Sequence, residues 1–188
     1  RLDAKDGSGT ADAATVSAAL SSTSGTLTVT DSNNDIESVT INATGDADQT
    51  ISLAASLAAG STAAAGTLTI TGGAAARTMT IAGTASTADT IDLSGVLSDT
   101  TLTMGTVNAT ITGGSGDDDI SFANTLTTSD TIDLGAGNDR IIIDPSSNLV
   151  AAPTISNVEE LEIGATGTVS LNLTGAGIPE IVLQAQVT

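Results

Sequence analysis

Two turns rich in Gly and Asp carry the pattern in this chain best suited to chemistry. The first, Gly113 to Ser121 (GGSGDDDIS), fits the nonapeptide G-G-x-G-x-D-x-U-x, in which U is a large apolar residue. Gly113, Gly114 and Gly116 take the Gly places, Asp118 the Asp place and Ile120 the apolar one. The second, Gly135 to Ile141 (GAGNDRI), repeats the pattern with Leu134 where the first Gly would stand. The spacing suits a hard divalent cation such as Ca²⁺, which takes about six to eight oxygen ligands and no nitrogen or sulfur. Glycines let the turn aim main-chain carbonyls inward, and Asp118 and Asp139 add charged oxygens. A plain polar turn between strands uses the same residue types and is the alternative reading.

Both turns run directly into β-branched residues, so each must be positioned by the strand that follows it. Apolar residues alternate with Thr, Ser or Asp at Met79/Ile81, Ile91/Leu93, Leu102/Met104, Ile120/Phe122, Ile132/Leu134 and Ile141/Ile143, with single members at Ile70 and Ile111. Period two is the strand signal, and these doublets recur about every ten residues. Two such strands make a coil of about 20 residues, which predicts an all-β, parallel β-solenoid of stacked coils, a β-roll or β-helix.

Longer repeats support the coils. GTLTVT from Gly25 and GTLTIT from Gly66 lie 41 residues apart, as do TITGG from Thr69 and from Thr110, and DTIDL from Asp89 and from Asp130. The expected organisation is an N-terminal cap or arm over 1–24, three repeats of about 41 residues over 25–147, and C-terminal coils or a cap over 148–188. Ala13 to Leu20 reads equally as a helical turn or a capping strand. Asp31-Ser32-Asn33-Asn34-Asp35 opens like an EF-hand loop but lacks its Gly and closing Glu, and reads as an Asx-rich turn. At the 41-residue offset Arg77 faces Asp118; a solvated Arg is the first reading, and a guanidinium standing in for the charge of a lost ion is the alternative. The acids Glu159, Glu160 and Glu162 read as a solvated strand edge.

Composition narrows the function. Asp and Glu number 22 against 4 Lys and Arg, for a net charge of −18. No basic patch exists to displace counterions from nucleic acid or to bind an anionic membrane, and no run is long enough to insert as a transmembrane helix. Cys and His are absent, as are Trp and Tyr, so general bases and thiol nucleophiles are scarce, and no catalytic residue is expected. Phe122, the one aromatic, lies on the inward parity and is a poor platform for stacking a sugar. The chain begins at Arg1 with no apolar export segment, so it reads as a processed fragment or an excised piece of a longer protein.

The residues GGSGDDDI, DTIDLGAGNDRI (Asp130 to Ile141) and ISNVEELEI (Ile155 to Ile163) resemble the calcium-binding repeat-in-toxin group, most of all its branch of bacterial surface-layer and large cell-surface proteins. The resemblance covers about Gly66 to Ile163. It implies calcium contacts from Gly113, Ser115, Asp118, Gly135, Gly137 and Asp139, with Asp117 and Asn138 nearby. It further implies type I secretion, an extracellular or cell-surface location, and folding as a β-roll on meeting calcium. The expected function is a secreted, calcium-dependent structural protein whose partner is itself, in a surface layer or extracellular filament. An adhesin stalk contacting cell-surface glycan or lipopolysaccharide is the alternative.

Overall fold

A computed structural model describes residues 12–19, 25–29, 36–53, 66–75, 77–83, 89–105, 108–122, 124–164 and 168–184. The Asx-rich turn expected at Asp31 to Asp35 and the start of the N-terminal arm lie outside these residues. The described residues contain no helix, and the chain is an all-β, parallel β-solenoid of stacked coils with a repeat near 21 residues. Seven strands form one sheet: β1 (Asp12–Ala19), β3 (Ile36–Thr44), β5 (Thr67–Gly72), β7 (Thr90–Val96), β9 (Thr110–Thr112), β11 (Thr131–Asp133) and β14 (Thr154–Ser156). Eight form the other: β2 (Gly25–Val29), β4 (Gln49–Leu53), β6 (Thr78–Gly83), β8 (Asp99–Thr103), β10 (Asp118–Phe122), β12 (Arg140–Ile143), β15 (Glu160–Ile163) and β17 (Glu180–Leu183). A short pair, β13 (Leu149–Ala151) with β16 (Val169–Leu171), completes the last coils. The N-terminal segment left open between helix and strand is therefore strand β1, paired in parallel with β3.

One apolar core fills the space between the sheets, and its members stack in columns. Ile81, Leu102, Ile120, Ile141 and Leu161 succeed one another in the eight-stranded sheet. Leu68, Ile91, Ile111, Ile132 and Ile155 do so in the seven-stranded one. Every apolar doublet expected to point inward is buried, Phe122 included. Aliphatic layers suffice here because each side chain needs to span only half of a narrow core and packs on its counterparts one coil above and below. Outward places in the seven-stranded sheet are hydroxyl-rich, with Ser38, Thr67, Thr90, Thr110, Thr131 and Thr154 in one row. Thr beside Ile or Leu is what a half-buried pleated surface favours.

Stacking distance is less regular than the sequence repeat. Thr90 stacks two coils from Thr131, the expected 41 residues, but Leu68 stacks two coils from Ile111, and Met79 two coils from Asp118. The corner loops set the register, and their lengths vary. One consequence corrects the reading of Arg77: Met79 and Thr100, not Arg77, share the column of Asp118. Arg77 lies two positions away, is exposed, and forms no ion pair with a carboxylate among the described residues.

Candidate metal centre

The turns at 113–118 and 135–139 stack directly on one another at the corner that enters β10 and β12. Gly113 N donates to Asp133 O at 2.7 Å, and Ala136 N to Gly114 O at 3.1 Å. The fold thus brings Gly113, Ser115, Asp117, Asp118, Gly135, Gly137, Asn138 and Asp139 onto two adjacent turns at one corner. Glycine is needed there for clearance as well as for turning. A Cβ on Gly113 would meet Leu134 O at 2.1 Å, and one on Gly137 would meet Gly116 O at 2.3 Å. Ser115 reaches the preceding coil instead, where its amide and hydroxyl donate to Val96 O.

The carboxylates form two columns along this corner, and the columns bond in opposite senses. In the inner column each amide donates to the carboxylate of the coil after it: Thr100 N to Asp118 Oδ1 at 3.0 Å, Asp118 N to Asp139 Oδ1 at 2.8 Å, and Asp139 N to a Glu159 oxygen at 2.8 Å. In the outer column each amide donates to the coil before it: Thr78 N to Asp48, Asp117 N to Asp99, and Asn138 N to Asp117. Side-chain oxygens here satisfy amides that the ladder leaves free where the chain turns.

Asp118 and Asp139 share the parity of Ile120 and Ile141, so both carboxylates face the interior and both are buried. Asp118 has both oxygens engaged, Oδ2 accepting from Gly114 N at 3.0 Å. Burial raises its pKa, against the lowering pull of the Gly114 and Thr100 hydrogen bonds. Asp139 differs: its Oδ2 is buried with no hydrogen-bond partner. Burial first, and then the neighbouring carboxylates of Asp118, Glu159 and Asp117, raise its pKa to about 7, although the Asp118 amide opposes the shift. A lone buried carboxylate oxygen beside other acids is costly unless a proton or a cation meets it.

This set fits a hard cation at Asp139, where a buried carboxylate oxygen is free and the acids of Asp118, Glu159 and Asp117 lie near it. At Asp118 each oxygen already accepts from one amide, so an ion there would share those oxygens with the backbone. Among the described residues no three acidic side chains converge closely enough to hold a metal ion. Bound there, a divalent ion would supply charge compensation and cross-linking of adjacent coils.

Three acids take amide-capping roles that the sequence reading did not give them. Glu159, read as part of a solvated edge, caps the Asp139 amide. Asp99 continues the outer column. At the opposite corner buried Asp130 accepts from Ala109 N at 2.7 Å and Thr127 N at 2.6 Å, and the repeated DTIDL phrase was the available signal for it. The other two acids of the Glu cluster also have partners. Arg140, on the outer face, forms a bidentate pair with Asp119 at 2.9 Å, reaches Glu162 at 2.8 Å and Glu160 at 4.0 Å, and so ties three coils. Its hydrogen bonds to the Asp119 carboxylate hold the guanidinium proton more firmly still. Arg140→Ala is expected to lower stability by roughly 1 kcal/mol at low ionic strength, since the network is partly exposed. Thermal melts should show the deficit shrinking in molar salt as the freed acids are screened.

No protein-family model matches the chain, and neither a curated protein nor a solved structure matches it significantly.

Proposed function

We propose that the chain is a secreted, calcium-dependent structural protein whose partner is a second copy of itself, in a surface layer or filament on the outside of a bacterial cell. The observation that carries this reading is the inner acid column: Asp118, Asp139 and Glu159 stacked on successive coils, with Asp139 Oδ2 buried and unpartnered, in a chain of net charge −18. Self-repulsion of that size opposes compaction, and calcium relieves it at the point of greatest cost. A medium rich in calcium, such as the outside of a cell, is where such a chain is stable. The fold and composition fit a structural role: among the described residues the core is aliphatic apart from Phe122 and two Met, and the chain has neither His nor Cys to serve as base or nucleophile.

Removal of the ion is the direct test. In chelator the far-ultraviolet β signal and melting temperature are expected to fall, and millimolar Ca²⁺ should restore both and increase the sedimenting mass. Identical spectra, melts and sedimentation in calcium and in chelator would overturn the reading. By mass action, calcium at about one hundred times its dissociation constant adds roughly 2.7 kcal/mol to stability.

A further inference from the structure

Asn42, Asn108 and Asn172 each open the tripeptide Asn-x-Thr, the acceptor pattern for an N-linked sugar. In a chain this rich in Thr the tripeptide alone decides nothing, but the fold treats the three differently. Asn42 is half-buried within β3, and its Oδ1 accepts from the hydroxyl of Thr71 on the next coil at 2.7 Å. Asn108 is exposed, but its Oδ1 accepts from Thr127 at 2.8 Å. The Thr of its own tripeptide, Thr110, opens β9 and gives its amide to Asp89 O at 2.8 Å. Asn172 is closed on its own Thr. The amide and the hydroxyl of Thr174 both donate to Asn172 Oδ1, at 3.1 and 2.6 Å, and neither bond engages Nδ2. Local sequence sets this turn: Asn172 N donates to Ala151 O, continuing the ladder with β13, and Ala176 N donates to Leu173 O around Gly175, whose φ is +83°. Asn172 and Thr174 are exposed, and Asn172 continues the outward parity of Ser170. Outward places here stay open when a further coil stacks on them: Val150, with Ser170 as its neighbour one coil on, is 78 % exposed.

We propose that Asn172 is a glycosylation site, the acceptor of an N-linked sugar from a donor whose anomeric carbon carries a diphosphate leaving group. In the transfer Nδ2 forms a bond to the anomeric carbon and gives up one proton. The bond from that carbon to the diphosphate oxygen breaks, and the diphosphate leaves with the electron pair. An amide nitrogen is a poor nucleophile because its lone pair is delocalised into the carbonyl. As the proton departs, charge gathers on Oδ1, and the Thr174 amide and hydroxyl already stand on that oxygen. At Asn108 the oxygen is met instead by a hydroxyl from another coil, and at Asn42 the side chain lies half covered in the sheet face. A bulky, hydrated sugar needs an outward place on a surface turn, which Asn172 offers and the middle of the sheet does not. This site depends neither on calcium at the acid columns nor on self-assembly.

Peptide mass spectrometry of the protein recovered from the cells that naturally make it is expected to find a sugar on Asn172 and none on Asn42 or Asn108. In vitro, the folded chain offered UDP-glucose and a soluble N-glycosyltransferase should gain a hexose at Asn172 roughly tenfold faster than at either other asparagine, the factor that two hydrogen bonds supply. Synthetic peptides spanning the three tripeptides should react at similar rates, which separates the folded turn from the tripeptide. Thr174→Ser keeps both donors and should keep the reaction, whereas Asn172→Gln should abolish it with the melting temperature little changed. An unmodified Asn172 in the native protein would overturn the assignment, as would equal rates at the three sites of the folded chain. So would a folded chain inert at Asn172 under conditions that modify its peptide. Peptides that differ as much as the folded sites do would move the preference into the tripeptide and overturn the role of the turn.

Discussion

In the presence of a chelator, raising the pH from 5 to 8 is expected to destabilise the fold by roughly 2–3 kcal/mol through Asp139 alone. Its folded pKa is raised to about 7, above the ordinary carboxylate value that the unfolded chain would show. The folded state therefore holds this proton more tightly than the unfolded state does. Stability from that preference is complete below about pH 4 and is lost as the pH rises through 7. Asp118, also raised by burial, contributes with the same sign. Saturating Ca²⁺ should flatten or reverse the slope, because the ion prefers the ionised carboxylate. Asp139→Asn separates this effect from general charge repulsion. The variant keeps an oxygen for the Asp118 amide but cannot ionise, so denaturant melts should show a shallower loss of stability with pH and a weaker response to calcium. If wild type and Asp139→Asn melts have equal pH slopes in chelator, the buried carboxylate is not the titrating group.

The inward residues of this fold were legible because each obeys a two-residue period inside a strand only three to nine residues long, and a one-place slip would expose the whole set. Ile120 with Phe122 and Ile141 with Ile143 needed no other information. The same parity already placed Asp118 and Asp139 inside, yet Gly-Asp spacing drew attention to a turn and hid the fact that each Asp also opens a strand. Register was less legible. Internal similarity at 41 residues records how the sequence repeats, whereas stacking depends on how many residues each corner uses. Only 18 separate Thr100 from Asp118, but 30 separate Gln49 from Met79. Arg77 was misplaced for that reason. The bonding sense of the two acid columns was not legible at all, since it depends on which amides the ladder leaves free at each corner.

Gly135→Ala distinguishes the two roles a glycine can have in these turns, and a large loss is expected. Gly135 has φ +90°, a conformation costing an L side chain on the order of 1–3 kcal/mol. An added Cβ would also meet Gly114 O at 2.4 Å, a backbone atom that moves only if the coils separate. Together these should cost roughly 3 kcal/mol or more, lowering the melting temperature by about 6–12 °C for a chain of this length. Gly175→Ala is the control: its φ is +83°, but nothing lies within 4 Å of the new methyl, so only the conformational part should appear. Alanine keeps the main-chain carbonyl. If Gly135 serves coil stacking, its loss will therefore be as large in chelator as in calcium. A deficit confined to the calcium-loaded protein would show instead that glycine serves the ion at this position, and the clearance between coils would not be what demands it at this corner.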